Sequence, residues 1–467
     1  ERRVERRHEK GVRIIETTGT RARVAMPPPL LAGDVLTSGV QLPNQWRLTP
    51  VGATLKLGDL PLTLVTDASH RVAAIVHAGF GDHEVRMVDL IGQRELSRAV
   101  VPNAWVGAAF DKTAARLYVS GGADDIVYVF PVRGGVLDTP TTVGVRRDAG
   151  TTAALAKPWY VSGLAVDERT GRLLIACQNR PMLLEWDPAH PARAPRRIVA
   201  FSEPHAAPYK VVIDPQRRRA YVSLWGAKAV AVVDLQKGQY RTIATHAHPN
   251  EIVITPNGKR LFVACANTNF TDAIDLGKGR VSEQLDCAIY PGMPAGSTPN
   301  GLALSPDGKT LLVANADTNH LAVFDISKPG AARSLGMIPT GWYPTAVGFG
   351  ARGEILIVNG KGGGSEPNPR GPNPYDSKSE AKGTQYIAGL FKGTLSFVSW
   401  PGAQQLALYT RQVLANSGET GLTAEFPVSG STPAIGVSLG FGEGKGLETA
   451  LLQVDNECRH PHLVAAF

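Results

Sequence analysis

The sequence predicts an all-β protein assembled from repeats, and three observations carry that expectation. Fifty glycines and 34 prolines punctuate the 467 residues, while charged side chains make up only 19%. A turn-rich, sparsely charged chain is neither a coiled coil nor a helical array. Its 43% hydrophobic content is too high for wholesale disorder. No stretch reaches the roughly 18 apolar residues that a membrane-spanning helix requires. One pattern then recurs seven times: an apolar strand, a turn rich in Asp, Pro and Gly, a second apolar strand, a polar loop, and a third strand often closed by Asp.

The fourth copy, PYKVVIDPQRRRAYVSLWGAKAVAVVDL at 208–235, shows the pattern most fully. The fifth (PNEIVITPNGKRLFVACANTNFTDAIDL) and sixth (PNGLALSPDGKTLLVANADTNHLAVFDI) match it in length. Anchored on the first turn residue, the copies fall at Asp67, Asp111, Asp167, Asp214, Thr255, Ser305 and Gly350, 41 to 56 residues apart. Units of 40–50 residues with three or four strands each are the signature of propeller blades. A fourth strand follows most third strands, as in YRTIATH, RVSEQLD and ARSLGMIP. A solenoid would need polar end caps, whereas seven copies closed on themselves leave no sheet edge exposed. The expected fold is a seven-bladed β-propeller of four-stranded blades.

The ends of the chain suggest how the ring closes. The seventh blade reaches its third strand at Thr394–Trp400 and then leaves the pattern, so the segment Thr54–Gly58 is expected to supply its outer strand. The propeller then spans 41–403, preceded by a tail over 1–40. A Gly/Pro/Asn-rich insertion, 360–393, splits blade seven and is longer than a hairpin requires. From 404 to 467 the chain first reads as a helix (LALYTRQVLAN) and then becomes Gly-rich and aperiodic.

YVSLWGAKAVAVVDL, LFVACANTN and TLLVANADTNHLAVFDI resemble YVTN-type propeller repeats. The runs LPNQWRLTPVGATLKLGDLPL, GWYPTAVGF and NPRGPNP…YIAGLFKGTLSF are similar to the N-terminal propeller of bacterial YncE-like proteins, over roughly residues 41–415. Such propellers are often fused to a phosphoesterase domain of the alkaline-phosphatase superfamily. The resemblance therefore implies a phosphoesterase domain or another protein as partner, and a periplasmic or secreted location. After about Asn416 this chain departs from the fused pattern. No run of metal-ligand Asp and His with a Ser or Thr nucleophile follows.

Loops that lead into the innermost strands should line one mouth of the channel. Six residues before the anchors stand Pro61, Trp105, Val161, Pro208, Pro249, Pro299 and Pro344, where proline fixes φ as the chain turns inward. Around these positions polar and aromatic groups gather in blades three to seven: Trp159, Tyr160, Ser162, Tyr209, His248, Asn250, Asn300, Trp342 and Tyr343. Rigid aromatics with a few amides and hydroxyls suit a ligand pocket. The same groups also suit packing and loop satisfaction. Blades one and two offer Leu60, Leu62, Ala104 and Val106 instead, so binding is expected off-centre.

Other constellations point to no specific chemistry. The formal charge of +8 is dispersed and densest in a mixed N-terminal run, which reads as a solvated tail with no nucleic-acid partner. The chain opens at Glu1 with no apolar leader-like run. Cys177, Cys265, Cys287 and Cys458 lack CxxC spacing; Cys265 and Cys287 flank blade five and are read equally as a disulfide or as two buried thiols. Cys458, His460 and His462, or His246 with His248, are sparse as ligand sets, so no metal and no cofactor are expected. Asp124, Asp125, Asp187, Asp234, Asp275 and Asp325 recur as turn residues. No catalytic residue is nominated. The expected function is a non-catalytic binding scaffold that recognises a partner domain, peptide or polymer through the mouth. The alternative is a lactonase-like propeller hydrolase or the propeller part of a metal-dependent phosphoesterase.

Overall fold

A computed structural model describes residues 39–146, 157–214, 216–364 and 387–418, together with the short strands Arg3–Glu5, Ile15–Thr17 and Val35–Leu36. Within the separate unit Glu1–Leu31, the first two of these pair antiparallel. In the larger unit, seven antiparallel sheets of four main strands form the ring. From the channel outward, blade 1 comprises Pro61–Thr66, Val72–His77, Glu84–Asp89 and Arg94–Val100. Blade 4 comprises Pro208–Asp214, Arg219–Leu224, Ala229–Asp234 and Gln239–Ala244. The other innermost strands are Ala108–Phe110, Val161–Asp167, Pro249–Ile254, Pro299–Leu304 and Trp342–Phe349.

The middle strands are apolar on both faces because neighbouring blades cover both. Every residue of Arg260–Cys265 is buried. Tyr221 and Val230 of blade 4 pack with Ile252 and Val263 of blade 5, and Ile75 and Val88 of blade 1 with Val358 and Leu395 of blade 7. Each such side chain contributes roughly 1.5–3 kcal/mol of burial.

The ring closes through its N-terminal segment. Ala53–Lys56 forms the outer strand of blade 7, with Thr394 opposite Lys56 and Phe397 opposite Ala53. The helix Ala403–Asn416 then lies along the outer strand Arg333–Pro339 of blade 6. There the Thr410 hydroxyl accepts from Met337 N–H at 2.9 Å, and Gln412 and Asn416 hold Thr49.

The turns between first and second strands, on the face opposite the mouth, are tied by the anchor residues. Asp67 Oδ1 accepts from Arg71 and Val72 N–H, and Asp214 Oδ1 from Gln216 and Arg217. Asp187, Asp234, Asp275 and Asp325 likewise accept from backbone N–H groups two or three residues on. Side-chain hydrogen bonds from His190 and Ser327 first, then these backbone bonds, hold the Asp187 and Asp325 pKa values low, and the backbone bonds lead for Asp234 and Asp275. Cys177, Cys265 and Cys287 are buried free thiols, and burial pushes all three pKa values up. Cys458, His460, His462 and most of the 360–393 insertion lie outside the described residues.

Candidate functional site at the channel mouth

Two sets of loops meet at one mouth. Connections of an antiparallel sheet alternate between its two ends. The approach loop before each innermost strand therefore shares a face with the turn joining the second and third strands.

The residue seven before the anchor is left-handed in six blades, Leu60 (φ 38°), Tyr160 (64°), Ala207 (44°), His248 (52°), Thr298 (55°) and Tyr343 (62°), with Asn103 (54°) one position earlier in blade 2. None is glycine. A non-glycine residue costs about 1–2 kcal/mol in this conformation, so the fold must over-determine it. One contribution is the following proline in five blades, whose ring removes the right-handed helical alternative for the residue before it while alone favouring extended backbone. Another is a repeated hydrogen bond: the carbonyls of Leu60, Tyr160, Ala207, His248 and Thr298 accept from Ala78, Gln178, Trp225, Ala266 and Ala316 at 2.8–3.2 Å.

Several of the amides and hydroxyls expected at the mouth join blade to blade. The buried Ser162 hydroxyl donates to Pro208 O at 2.7 Å, Thr345 to Pro61 O at 2.7 Å, and Thr63 to Val106 O at 2.9 Å. Asn250, also buried, donates from Nδ2 to Pro299 O at 3.3 Å and to Asn300 Oδ1 at 2.9 Å. Each such bond is worth roughly 1 kcal/mol and sets the blade spacing.

The aromatic residues arrange differently. Tyr209 lies in the throat. Its phenol is pushed well up by desolvation, then by the charge of Glu251 and by Tyr343 and Tyr160. Tyr160 is pushed up to about 12 by desolvation, and its N–H donates to Asp125 Oδ1 at 2.8 Å. All three phenols therefore stay neutral donors at ordinary pH. The His248 ring lies against Trp225, tilted by 48° with centroids 4.2 Å apart, and desolvation lowers its pKa. His246 donates from Nδ1 to the fully buried Asp272 at 2.7 Å, matching a carboxylate that strand packing removes from water.

The turns contribute two residues that the approach loops do not. Asp317, in the turn after Thr310–Asn315, accepts from Thr298 Oγ1 at 2.5 Å. Solvent reaches it, yet the concave walls desolvate its carboxyl and raise its pKa, while Thr298 and Lys361 oppose the rise. Lys361 stands at the matching position of blade 7, at the end of its second strand Ile355–Gly362. Its Nζ stands 4.4 Å from the Tyr343 ring centroid, 5.3 Å from Trp342 and 5.8 Å from Phe391. Desolvation pulls its pKa down and Asp317 pulls it back up. A desolvated carboxylate and an ammonium thus sit within electrostatic range above an aromatic wall. That pairing can activate water and stabilise a developing oxyanion. Counting only approach loops conceals Asp317 and Lys361; the alternation of connections reveals them.

A model of the lactonase family, described as a seven-bladed β-propeller, matches residues 202–364. Over that segment the chain is similar to propeller lactonases. The match runs from the approach to blade 4 into the end of blade 7's second strand. It includes Tyr209, His248, Thr298, Asp317, Tyr343 and Lys361. No curated protein sequence matches the chain. Among solved structures, the RRP9 WD40 repeats superpose with a TM-score of 0.56 at 12% identity, covering 76% of this chain and 100% of theirs. Hydrazine synthase from Kuenenia stuttgartiensis gives 0.53 at 18%, covering 66% and 95%. Streptogramin B lyase gives 0.52 at 9%, covering 74% and 97%. These likenesses show the fold alone.

Among the described residues no helix is long and apolar enough to cross a membrane, and no cluster of three or more His, Cys, Asp or Glu is placed to hold a metal.

Proposed function

We propose that the chain is a lactonase-like hydrolase acting at the mouth between blades 6 and 7. The observation that carries this reading is the Thr298–Asp317–Lys361–Tyr343 constellation, which falls inside the segment matched by the lactonase family model. It takes the hydrolase alternative over the pure scaffold.

The chemistry follows from the residues. Asp317, as carboxylate, takes a proton from a water attacking the lactone carbonyl carbon. Its raised pKa makes it a stronger base than an ordinary carboxylate. Lys361 stands against the negative charge that develops on the carbonyl oxygen. As the ring C–O bond breaks, the proton held by Asp317 passes to the departing alkoxide, leaving a hydroxy acid. Trp342, part-exposed beside the buried Tyr343, supplies a flat wall for the lactone ring.

The test is hydrolysis of a panel of five- and six-membered sugar and alkyl lactones, followed by acid release at constant pH. The folded chain should exceed the buffer rate on at least one class, and Asp317→Asn should remove most of that excess. No acceleration across the panel by folded protein would sink the proposal. A periplasmic or secreted location and a fused or separate protein partner remain compatible proposals, resting on the YncE-like resemblance. Fractionating a producing cell tests the first, and co-purification under native conditions tests the second.

A further inference from the structure

Nearly across the channel from Lys361, blade 3 carries a second cluster that the hydrolytic reading leaves unused. The Arg180 guanidinium lies 4.5 Å from the centroid of the Trp159 ring. Trp105 stands edge-on to Tyr160, with centroids 5.8 Å apart and planes at 79°. The loop is braced from below: Asn179 Nδ2 donates to Pro158 O at 3.1 Å, and Asp125 holds the Tyr160 N–H. The indole N–H of Trp105 is buried without a hydrogen-bond partner. Among the described residues Arg180 makes no ion pair, and it is exposed. Between the two clusters lies Tyr209, whose phenol senses both Tyr160 and Tyr343.

Each side of the mouth therefore holds a cation over an aromatic ring, with the neutral Tyr209 phenol between them. Flat aromatic rings pack against the C–H faces of pyranose rings, and phenols donate to ring and hydroxyl oxygens. A guanidinium with unused donors fits a carboxylate in bidentate fashion, and one already stacked on Trp159 loses little freedom in doing so. We propose that the mouth binds an acidic oligosaccharide. A uronic acid places its carboxylate on Arg180, above the Trp159 ring, and a further ring lies against the part-exposed Trp342. This deepens the hydrolytic reading by naming the ligand class, and rests on that reading only for which ring carries the lactone.

Titration calorimetry and tryptophan fluorescence of the full chain test the proposal, with trigalacturonic acid as probe and the neutral maltotriose as control. The acid should bind at least tenfold more tightly than the neutral sugar and quench fluorescence. Arg180→Gln should weaken the acid at least tenfold and leave the neutral sugar within about twofold. Trp159→Leu, which removes the ring that positions Arg180, should weaken the acid and leave the neutral sugar within about twofold, with thermal unfolding confirming an intact ring. Equal binding of acid and neutral sugar, or Arg180→Gln binding the acid normally, would overturn it. Asp317→Asn, inert in turnover, should still bind the acid, so failure of hydrolysis and failure of binding are read separately.

Discussion

Blades 1 and 2 meet the channel mouth with the same backbone as blades 6 and 7 but with different side chains. Leu60 and Tyr343 both stand left-handed before a proline, with φ of 38° and 62°. Thr63 and Thr345 both donate across to the next blade's backbone. In blades 1 and 2 the second turns hold Gly79 and Gly122, and the approach loops hold buried Leu60 and Ala104. In blades 6 and 7 the corresponding positions hold Asp317 and Lys361, and the approach positions hold Thr298 and Tyr343. The backbone device is thus structural and common to the ring, while the proposed chemistry falls at positions where side chains depart from the repeat. A site in a repeat protein is best sought where one blade breaks a rule its neighbours keep.

The largest expected effect separates these halves directly. Asp317→Asn should lower lactone kcat/KM by about 10² to 10⁴-fold, the range for losing a general base. Leu60→Ala, in the apolar half, should change it less than threefold while lowering stability by about 2 kcal/mol. Comparable losses of activity from both variants would mean that the mouth acts only through ring stability.

Acid stability probes a feature the halves share. His77 in blade 1 and His320 in blade 6 are fully buried, and desolvation lowers their pKa values to about 3 and about 4. Each places Nδ1 near a backbone carbonyl and turns Nε2 toward an N–H donor, Gly58 N–H for His77 and Asn315 Nδ2 for His320. A proton on Nε2 would face that donor. Both folded pKa values lie below the unfolded 6.5, so the stability is present above pH 6.5. It falls as the unfolded chain takes up protons, down to about pH 4 and pH 3. Between pH 7 and pH 5 this amounts to about 2 kcal/mol for each histidine. Denaturant titrations of His77→Gln and His320→Gln should each show a flatter pH dependence over that interval. Unchanged slopes in both would refute the assignment.

What the sequence made legible, and what it hid, follows the same division. The blade count and the closing strand Ala53–Lys56 were readable, because strand patterning and turn residues act locally and repeat. The helix Ala403–Asn416 was readable from its apolar spacing. The left-handed positions were not: none of Leu60, Tyr160, Ala207, His248, Thr298 or Tyr343 is a glycine, and only the proline after five of them leaves a trace. Ser162 and Asn250 looked like ligand groups because a hydroxyl or amide has the same composition whether it faces a ligand or the next blade. Asp317 and Lys361 were hidden by attention to approach loops alone, although strand alternation places their turns at the same mouth.

A smaller effect sharpens the polar half. The Thr298 hydroxyl bonds Asp317, and that bond lowers the carboxyl pKa against the desolvation that raises it. Thr298→Val keeps the shape and removes the bond, so the acid limb of the kcat/KM profile should move to higher pH. Lys361→Met should move it the same way, because the ammonium also lowers the Asp317 pKa, and should cut the plateau as well. Thr298→Val shifting the limb downward, or not at all, would mean that Asp317 is not the titrating base.

The smallest expected effect tests the shared backbone device itself. Ala207 is left-handed at φ 44°, carries only a methyl group, and precedes Pro208. Glycine at this position relieves about 1–2 kcal/mol of conformational strain. Against that stand the greater freedom glycine gives the unfolded chain, about 0.4–1 kcal/mol, and the loss of a half-buried methyl. The terms nearly cancel, so Ala207→Gly should change stability by less than about 1 kcal/mol, and on the stabilising side. Ala207→Val should destabilise by more than that, because a β-branched side chain fits the left-handed region worst. Chemical denaturation of the two variants measures both signs. If glycine destabilises and valine is tolerated, the approach residues are not held left-handed, and the backbone common to the two halves of the mouth is lost with them.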